Sequence, residues 1–347
     1  KASMPWHFGW SDCVRQDEAW TRLACEGVFS TRGKPGAEEK LAQIHRELGG
    51  RDSSLRACLT VQEMAIAAVD RLGSERLRHE WLPSLLNGSL VGALAFSEEG
   101  AGSDLSAIQS RVQATDSGHY LLEGKKFWIT QGLWADAMVV LAREGSGHSL
   151  WWVRANAPGV TRQPTPALRA QQHAATANIH FAAVTLTEND RLGEAGTALT
   201  WGSQMLLDIG RFGVGAGAAG IAERAEVLAL DWCRERTHSG QKLSDLPLVK
   251  RQLLDLQLEV RTARLFIEEA ARLRDQGAAD AATFTAAAKY RAALAAERTT
   301  QIAAQLMGAR ALIEGSEISK LEAEARASRI IEGTPESLEL LLGGELS

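Results

Sequence analysis

Phe96-Ser97-Glu98-Glu99-Gly100-Ala101-Gly102-Ser103-Asp104, followed about 24 residues on by Phe127-Trp128-Ile129-Thr130, is the pair of segments around which the sequence organises itself. The first places two glycines and two hydroxyls in one loop. Glycine lacks the Cβ that holds a ligand off the backbone, so the N–H groups of such a loop can approach a phosphate or a carbonyl oxygen closely. The second is an aromatic platform followed by a hydroxyl donor. Each piece alone reads as a surface turn or a core strand. Together, in this order and at this spacing, they are specific.

The chain changes texture on either side of that pair. Residues 1–93 read as helices with short loops: Met64, Ala65, Ala68, Val69 and Leu72 recur at helical spacing, and Trp81, Leu82, Leu85 and Leu86 repeat the pattern. Gly73 and Asn87-Gly88 mark the ends. Residues 94–196 instead carry short segments rich in β-branched and aromatic residues, namely His119–Leu122, Phe127–Thr130, Met138–Ala142, Leu150–Val153 and Asn178–Leu186. Turn signals such as Asp116-Ser117-Gly118 and Ala157-Pro158-Gly159 separate them, which predicts a compact antiparallel β-domain. No helical pattern alternates with these strands, which argues against a parallel βαβ sheet. Residues 197–347 are rich in Ala, Leu, Glu and Arg, and Leu246–Arg274 and Asp280–Met307 are each long enough for an extended bundle helix. The expected class is α+β, with domains over 1–93, 94–196 and 197–347.

Composition narrows the partners. The 347 residues are 45% hydrophobic and 23% charged, an ordinary globular balance. A net charge of −5 without a basic block makes a poor nucleic-acid binder, because phosphate neutralisation needs clustered cations. No apolar run reads as a bilayer span, so no membrane insertion is expected. Cys13, Cys25, Cys58 and Cys233 lie far apart with no CxxC, so neither a zinc site nor a disulfide framework is indicated. A reduced, cytoplasmic protein is the expectation.

Two further motifs need weighing. Gly215-Ala216-Gly217-Ala218-Ala219-Gly220 satisfies GxGxxG, yet that fingerprint has meaning only between a strand and a helix in a βαβ unit. Leu206–Phe212 makes no convincing strand, and Ile221–Arg236 continues as helix, so small residues for close helix packing are the better reading. In Arg329-Ile330-Ile331-Glu332-Gly333-Thr334, the glutamate is either a helix-end charge or a carboxylate in an apolar pocket. In the second case desolvation would raise its pKa and make it a competent base.

The ordered set Phe96–Asp104, Phe127–Thr130, Glu235-Arg236 before Gly240, and Ile331–Thr334 resembles the acyl-CoA dehydrogenase flavoprotein family over roughly residues 55–342. The resemblance implies an N-terminal helical domain, a middle β-domain and a C-terminal four-helix bundle, with FAD between β-domain and bundle in a homodimer or tetramer. By that resemblance Phe96 (through its backbone), Ser97, Gly102, Trp128, Thr130, Gly333 and Thr334 contact or line the flavin. Ser103 lies near the pyrophosphate or the substrate arm, Arg236 reaches the cofactor of the neighbouring subunit, and Arg211 sits near the substrate. Glu332 matches the catalytic base. No metal is implied.

Chemically, such an enzyme removes the α-proton of an acyl thioester while hydride leaves the adjacent carbon for the flavin. If the substrate is a hydroxyl or hydrated aldehyde, the same base takes an O–H proton. The electron acceptor would be an electron-transfer flavoprotein or oxygen. Departures from the family pattern (Glu99 for a proline, Ser239 for an aromatic, Pro247 for a glutamine, Gly308-Ala309 for Gly-Gly, Ala323-Glu324 for Arg-Asp) fall mostly among inter-subunit cofactor contacts. They motivate a rival reading, a redox-silent acyl-binding scaffold. The Asp52–Met64 and Phe96–Ala107 stretches resemble the branch acting on acyl-carrier-protein substrates in secondary metabolism, including hydroxymalonyl-type polyketide extender units.

Overall fold

Where helical spacing of apolar residues stops, near Leu90, the chain turns to strands. The computed structural model describes residues 18–344, so Cys13 lies outside the described residues. Four helices come first: α1 (Glu18–Cys25), α2 (Ala37–Arg51), α3 (Ser53–Leu72) and α4 (Glu75–Leu86). Ser74 starts α4 by accepting the Leu77 N–H at 3.2 Å, which satisfies an orphan amide of the first turn. Eight strands follow: β1 (Gly92–Ala95), β2 (Arg111–Ala114), β3 (Tyr120–Ile129), β4 (Ala137–Glu144), β5 (Gly147–Arg154), β6 (Val160–Pro164), β7 (Ala177–Leu186) and β8 (Arg191–Leu192). The rest is helical apart from one small hairpin: α5 (Ser203–Glu235), β9 (Thr237–His238), β10 (Gln241–Lys242), α6 (Pro247–Asp275), α7 (Ala281–Met307), α8 (Glu317–Ile330) and α9 (Pro335–Gly344).

These elements gather into two units. One holds residues 18–30, Val61–Pro166 and His173–Gly202; the other holds Thr31–Thr60, Ala167–Gln172 and the chain from Ser203. The N-terminal helices are thus shared out, and α3 passes from the second unit to the first at Thr60–Val61.

The first unit is built on one sheet in the order β6-β7-β3-β2-β4-β5-β8, with β1 also on β4. Most of its pairings are antiparallel, but β1 and β2 both run parallel to β4, a departure from the expected all-antiparallel domain. The cause is topological. Strands β1 and β2 lie end to end along one edge of β4, against Ala137–Val140 and Arg143–Glu144, and the loop between them does not reverse the chain. That loop is Phe96–Ser110. Strand β3 merges two segments that the sequence reads separately, because a bulge, not a turn, divides them. Trp151, Val140, Ile179 and Phe181 fill the core on one side of this sheet.

In the second unit, α5, α6, α7 and α8 pack as a four-helix bundle whose core includes Ala222, Ala229, Leu256 and Ile318. Helix α2 lies along α5 at backbone contact. An added Cβ at Gly49 would fall 2.5 Å from Gly217 Cα, and one at Gly220 would fall 2.6 Å from the Arg46 carbonyl carbon. The GxGxxG stretch is therefore mid-helix packing surface, as its context predicts. Helix α5 is also long and apolar enough to cross a bilayer by length and composition, which the sequence reading did not anticipate, yet 78% of its apolar window is buried inside the protein. We expect Gly220→Ala to lower the thermal unfolding midpoint. The backbone clash costs on the order of 1–3 kcal/mol, more than the roughly 0.5–1 kcal/mol gained in helix propensity. An unchanged or raised midpoint would mean that α2 can move aside.

Candidate active site

In the first unit, the Phe96–Asp104 loop is held by a buried ion pair. Lys126, fully buried on β3, donates to the Phe96 carbonyl at 2.9 Å and to Glu98 Oε1 at 2.9 Å. Glu98 also accepts the Gln109 N–H at 2.6 Å and the Ser110 N–H at 2.9 Å, so one carboxylate closes both ends of the loop. Burial alone would raise the Glu98 pKa, but these donors and the lysine charge outweigh it and hold it below the usual range. Burial pushes Lys126 down to about 8, with Glu98 offsetting part of the effect.

That anchoring leaves the glycines facing open space. Glu98 and Ala101 bridge back on each other, their backbones hydrogen-bonded at 2.8 and 3.2 Å, which throws Glu99-Gly100 outward. Gly102 and Ser103 are exposed, and a Cβ at Gly100 or Gly102 would meet nothing within 4 Å. Asp104 accepts from Ser106 and caps the short helical turn that follows.

The Ser97 carbonyl accepts the Phe127 N–H at 2.9 Å, which puts the loop beside the second motif. There the β3 register breaks between Lys126 and Ile129, and Trp128 adopts φ 62°. Its N–H leaves the ladder for Asn178 Oδ1 at 3.3 Å, and its side chain remains 53% exposed. A bulge of this kind re-aims one side chain out of the sheet. Thr130 follows, half-buried, in the turn that ends the strand. Phe96, Ser97, Gly102, Ser103, Trp128 and Thr130 therefore belong to one unit. The uncovered indole and glycine loop fit a flavin ring and a phosphate-bearing arm.

The second unit holds Glu332 just past the end of α8, in a left-handed turn with φ 55°, followed by Gly333 with φ 99°. For a residue with a Cβ this costs on the order of 1–3 kcal/mol, which the surroundings must supply. The Ile331 N–H to Ala327 carbonyl bond at 3.1 Å fixes one side. The Leu338 N–H to Thr334 carbonyl bond at 3.0 Å fixes the other. The residue keeps some surface, but its Oε2 is shielded and unpartnered. Burial raises the Glu332 pKa from its ordinary value, and Arg211, Lys289 and Arg56 oppose the shift without cancelling it. The carboxylate is therefore desolvated, although charged groups as well as apolar ones surround it. Its carboxylate occupies room left by Gly210 on α5, where an added Cβ would fall 2.5 Å from Glu332 Cδ.

Arg211 follows Gly210 and has a buried, unpartnered Nε; burial pushes its pKa down against the pull of Glu332 and Asp208. Gly333 directly follows Glu332. Thr334 caps α9, accepting the Ser337 N–H at 3.3 Å. Arg236 stands apart: it is exposed, beside the Trp232 ring at 6.0 Å, at the far end of α5. The 24 residues from Arg211 to Glu235 span about 36 Å of helix, so the chain does not bring Arg236 to its own Glu332.

Family models describing the acyl-CoA dehydrogenase middle domain and C-terminal domain match residues 93–184 and 202–346. The chain belongs to the acyl-CoA dehydrogenase family. It is 30% identical over 313 residues to the probable acyl-CoA dehydrogenase FadE25 of Mycobacterium tuberculosis, covering 84% of this chain and 80% of that one. The structure of butyryl-CoA dehydrogenase from Megasphaera elsdenii superposes with a TM-score of 0.89 at 26% identity, over 95% of this chain and 89% of that one. FkbI, a protein for biosynthesis of the methoxymalonyl extender unit of the Fk520 polyketide immunosuppressant, gives a TM-score of 0.85 at 28% identity, over 95% and 92% of the two chains.

Sequence reasoning within this family missed four residues that the structure places in these two sites: Lys126 at the loop, and Arg56, Gly210 and Lys289 around Glu332. Lys289 had one visible signal, a single charge whose neighbours three and four residues away on the helix are Ala286, Thr285, Ala292 and Ala293; Lys126, next to Lys125, had none.

Proposed function

We propose that this chain is an FAD-dependent dehydrogenase that oxidises a small acyl thioester, with Glu332 as the proton-abstracting base. The observation that carries the reading is Glu332, whose backbone is held in a left-handed turn and whose carboxylate is shielded, unpaired at Oε2 and set among cations. When bound, FAD supplies the two-electron acceptor, taking a hydride at N5. Ser97, Gly102, Ser103, Trp128 and Thr130 hold the cofactor, the indole by stacking and the loop by its backbone and hydroxyls. Phe96 contributes through its backbone, although its carbonyl is already engaged by Lys126. By the family resemblance Gly333 and Thr334 would also line the flavin.

At the reacting carbon, Glu332 takes the proton that the thioester carbonyl acidifies. Its raised proton affinity is in the direction that task needs, since an ordinary surface carboxylate is a weaker base. Arg211 places a cation next to the carboxylate and toward the substrate.

The functional unit is a homodimer or a dimer of dimers. Arg236, so far along α5 from its own base, serves the cofactor of a neighbouring subunit. The exposed Leu254, Leu258 and Leu265 of α6, which share one helical face, suit an interface between copies. For the acyl carrier we favour a carrier protein over CoA, supported by the likeness to FkbI and by the Asp52–Met64 and Phe96–Ala107 stretches. Electrons leave to an electron-transfer flavoprotein or to oxygen.

The test is single-turnover reduction of the purified yellow protein by one small polar acyl group presented on a carrier protein or on CoA. Faster reduction by the carrier-linked form is expected, with an advantage that shrinks as salt screens the docking charges. A higher kcat/KM for alkyl-CoA at every ionic strength would make it an ordinary acyl-CoA dehydrogenase. A protein that shows no flavin bands after reconstitution with FAD would fall to the scaffold reading.

A further inference from the structure

Lys289 is a buried lysine, 1% exposed, on the alanine-rich face of α7 that also carries Ala288 and Ala292. Its ammonium donates to the carbonyl of Gly333, the residue directly after Glu332. Helix α7 comes this close to α5 because of Gly215, where an added Cβ would fall 3.0 Å from Lys289 Cα. The charged groups facing the spot are Glu332, Arg211 on α5, Arg56 on α3, Arg329 on α8 and Glu336 on α9. Burial pushes Lys289 down to about 8, with Glu332 opposing, so it carries charge through the neutral range. Packing alone would favour Leu or Met here, since an ammonium out of water is costly unless it is used.

We propose that Lys289 is a positioning residue for the Glu332 carboxylate, locking the left-handed Glu332-Gly333 turn through the Gly333 carbonyl and supplying a cation beside the base. The inference rests on the reading of Glu332 as base. It deepens that reading by assigning the base's orientation and strength to a residue some 43 positions earlier in the chain. The two contributions separate chemically. The hydrogen bond needs only a donor; the electrostatic effect needs the charge. Without the charge Glu332 should hold its proton to higher pH, because an opposite charge within several ångströms favours the ionised form by about one pH unit or more.

Isotope-edited infrared difference spectra, wild type minus Glu332→Gln, give the protonation midpoint of Glu332 in the FAD-loaded protein without any substrate. We expect that midpoint to rise by about one pH unit in both Lys289→Met and Lys289→Gln, a tenfold loss of carboxylate at a given lower pH. Lys289→Arg should stay near wild type. In flavin reduction with butyryl-CoA as probe, the rising limb of the pH profile should move upward in both neutral variants. The plateau should survive in Lys289→Gln, whose amide can still donate to Gly333, and fall in Lys289→Met. A midpoint that moves in neither neutral variant, or that moves as far in Lys289→Arg, overturns the proposal and leaves a structural helix-end contact. So does failure of both neutral variants to fold, because removing a desolvated charge should spare the fold. A normal reduction rate in Glu332→Gln would remove the base assignment whatever the titration shows. A slow Glu332→Gln with an unmoved midpoint removes only the role of Lys289.

Discussion

Glu332→Gln should slow reduction of the flavin by substrate at least ~10²-fold, and up to ~10⁴-fold, while FAD stays bound. Glutamine keeps the size of the side chain but cannot take a proton. Stopped-flow absorbance of the flavin in single turnover reads the effect directly. The substitution should not unfold the protein, and the sign can be worked out. A buried carboxylate whose pKa is raised on folding contributes its stability below the unfolded pKa and loses it as pH rises through the folded value. Above that window the wild-type carboxylate is a burden that the amide lacks. The variant should therefore unfold at an equal or higher temperature at neutral pH. An unchanged flavin-reduction rate would return Glu332 to the status of a helix-end charge.

Gly210→Ala should divide activity from stability. Its Cβ would sit 2.5 Å from Glu332 Cδ, so the carboxylate must swing away or the turn must shift. A misplacement of roughly 1 Å at a reacting group costs about 10²-fold in rate. Alanine meanwhile favours the middle of a helix over glycine by roughly 0.5–1 kcal/mol, which offsets part of the strain. We expect flavin reduction to fall about 10²-fold with FAD retained and little change in the unfolding midpoint. A variant that keeps full rate would show that the carboxylate has room to relax within its pocket, and that Gly210 is there for helix packing alone. The contrast with Gly220→Ala is informative, because there the added methyl meets rigid backbone at Arg46 instead of a side-chain end.

Much of the architecture was legible from local pattern. Apolar spacing placed α6 and α7 to within a residue or so at their marked ends, because long amphipathic helices are specified by their own periodicity. The strands β4, β5 and β7 were found for a similar reason: β-branched and aromatic runs bounded by turn residues have few alternatives. Strand β3 was read as two pieces since Glu123-Gly124-Lys125-Lys126 interrupts the pattern, and only pairing with β7 carries the strand across that gap and the later irregularity at Trp128. The parallel course of β1 and β2 along β4 was invisible, because strand direction is set by partners distant in sequence.

The candidate site divides along the same line. Ser97, Gly102, Ser103, Trp128 and Thr130, and Glu332 with its Gly333, could be proposed from the sequence because they fall in short motifs whose order and spacing resemble the family's. The sequence also sufficed to reject a dinucleotide fold for Gly215–Gly220, since no strand precedes it. What only the tertiary structure decided is how those residues are held and tuned. Lys126 and Glu98 meet across 28 positions to set the loop, and Lys289 and Gly210 reach Glu332 from two different helices of the bundle. Burial of Glu332, and with it the raised proton affinity of its carboxylate, arises from packing within the second unit. A local stretch of sequence encodes which groups are present; desolvation and charge proximity belong to contacts between segments far apart in the chain, and those exist only in the folded protein.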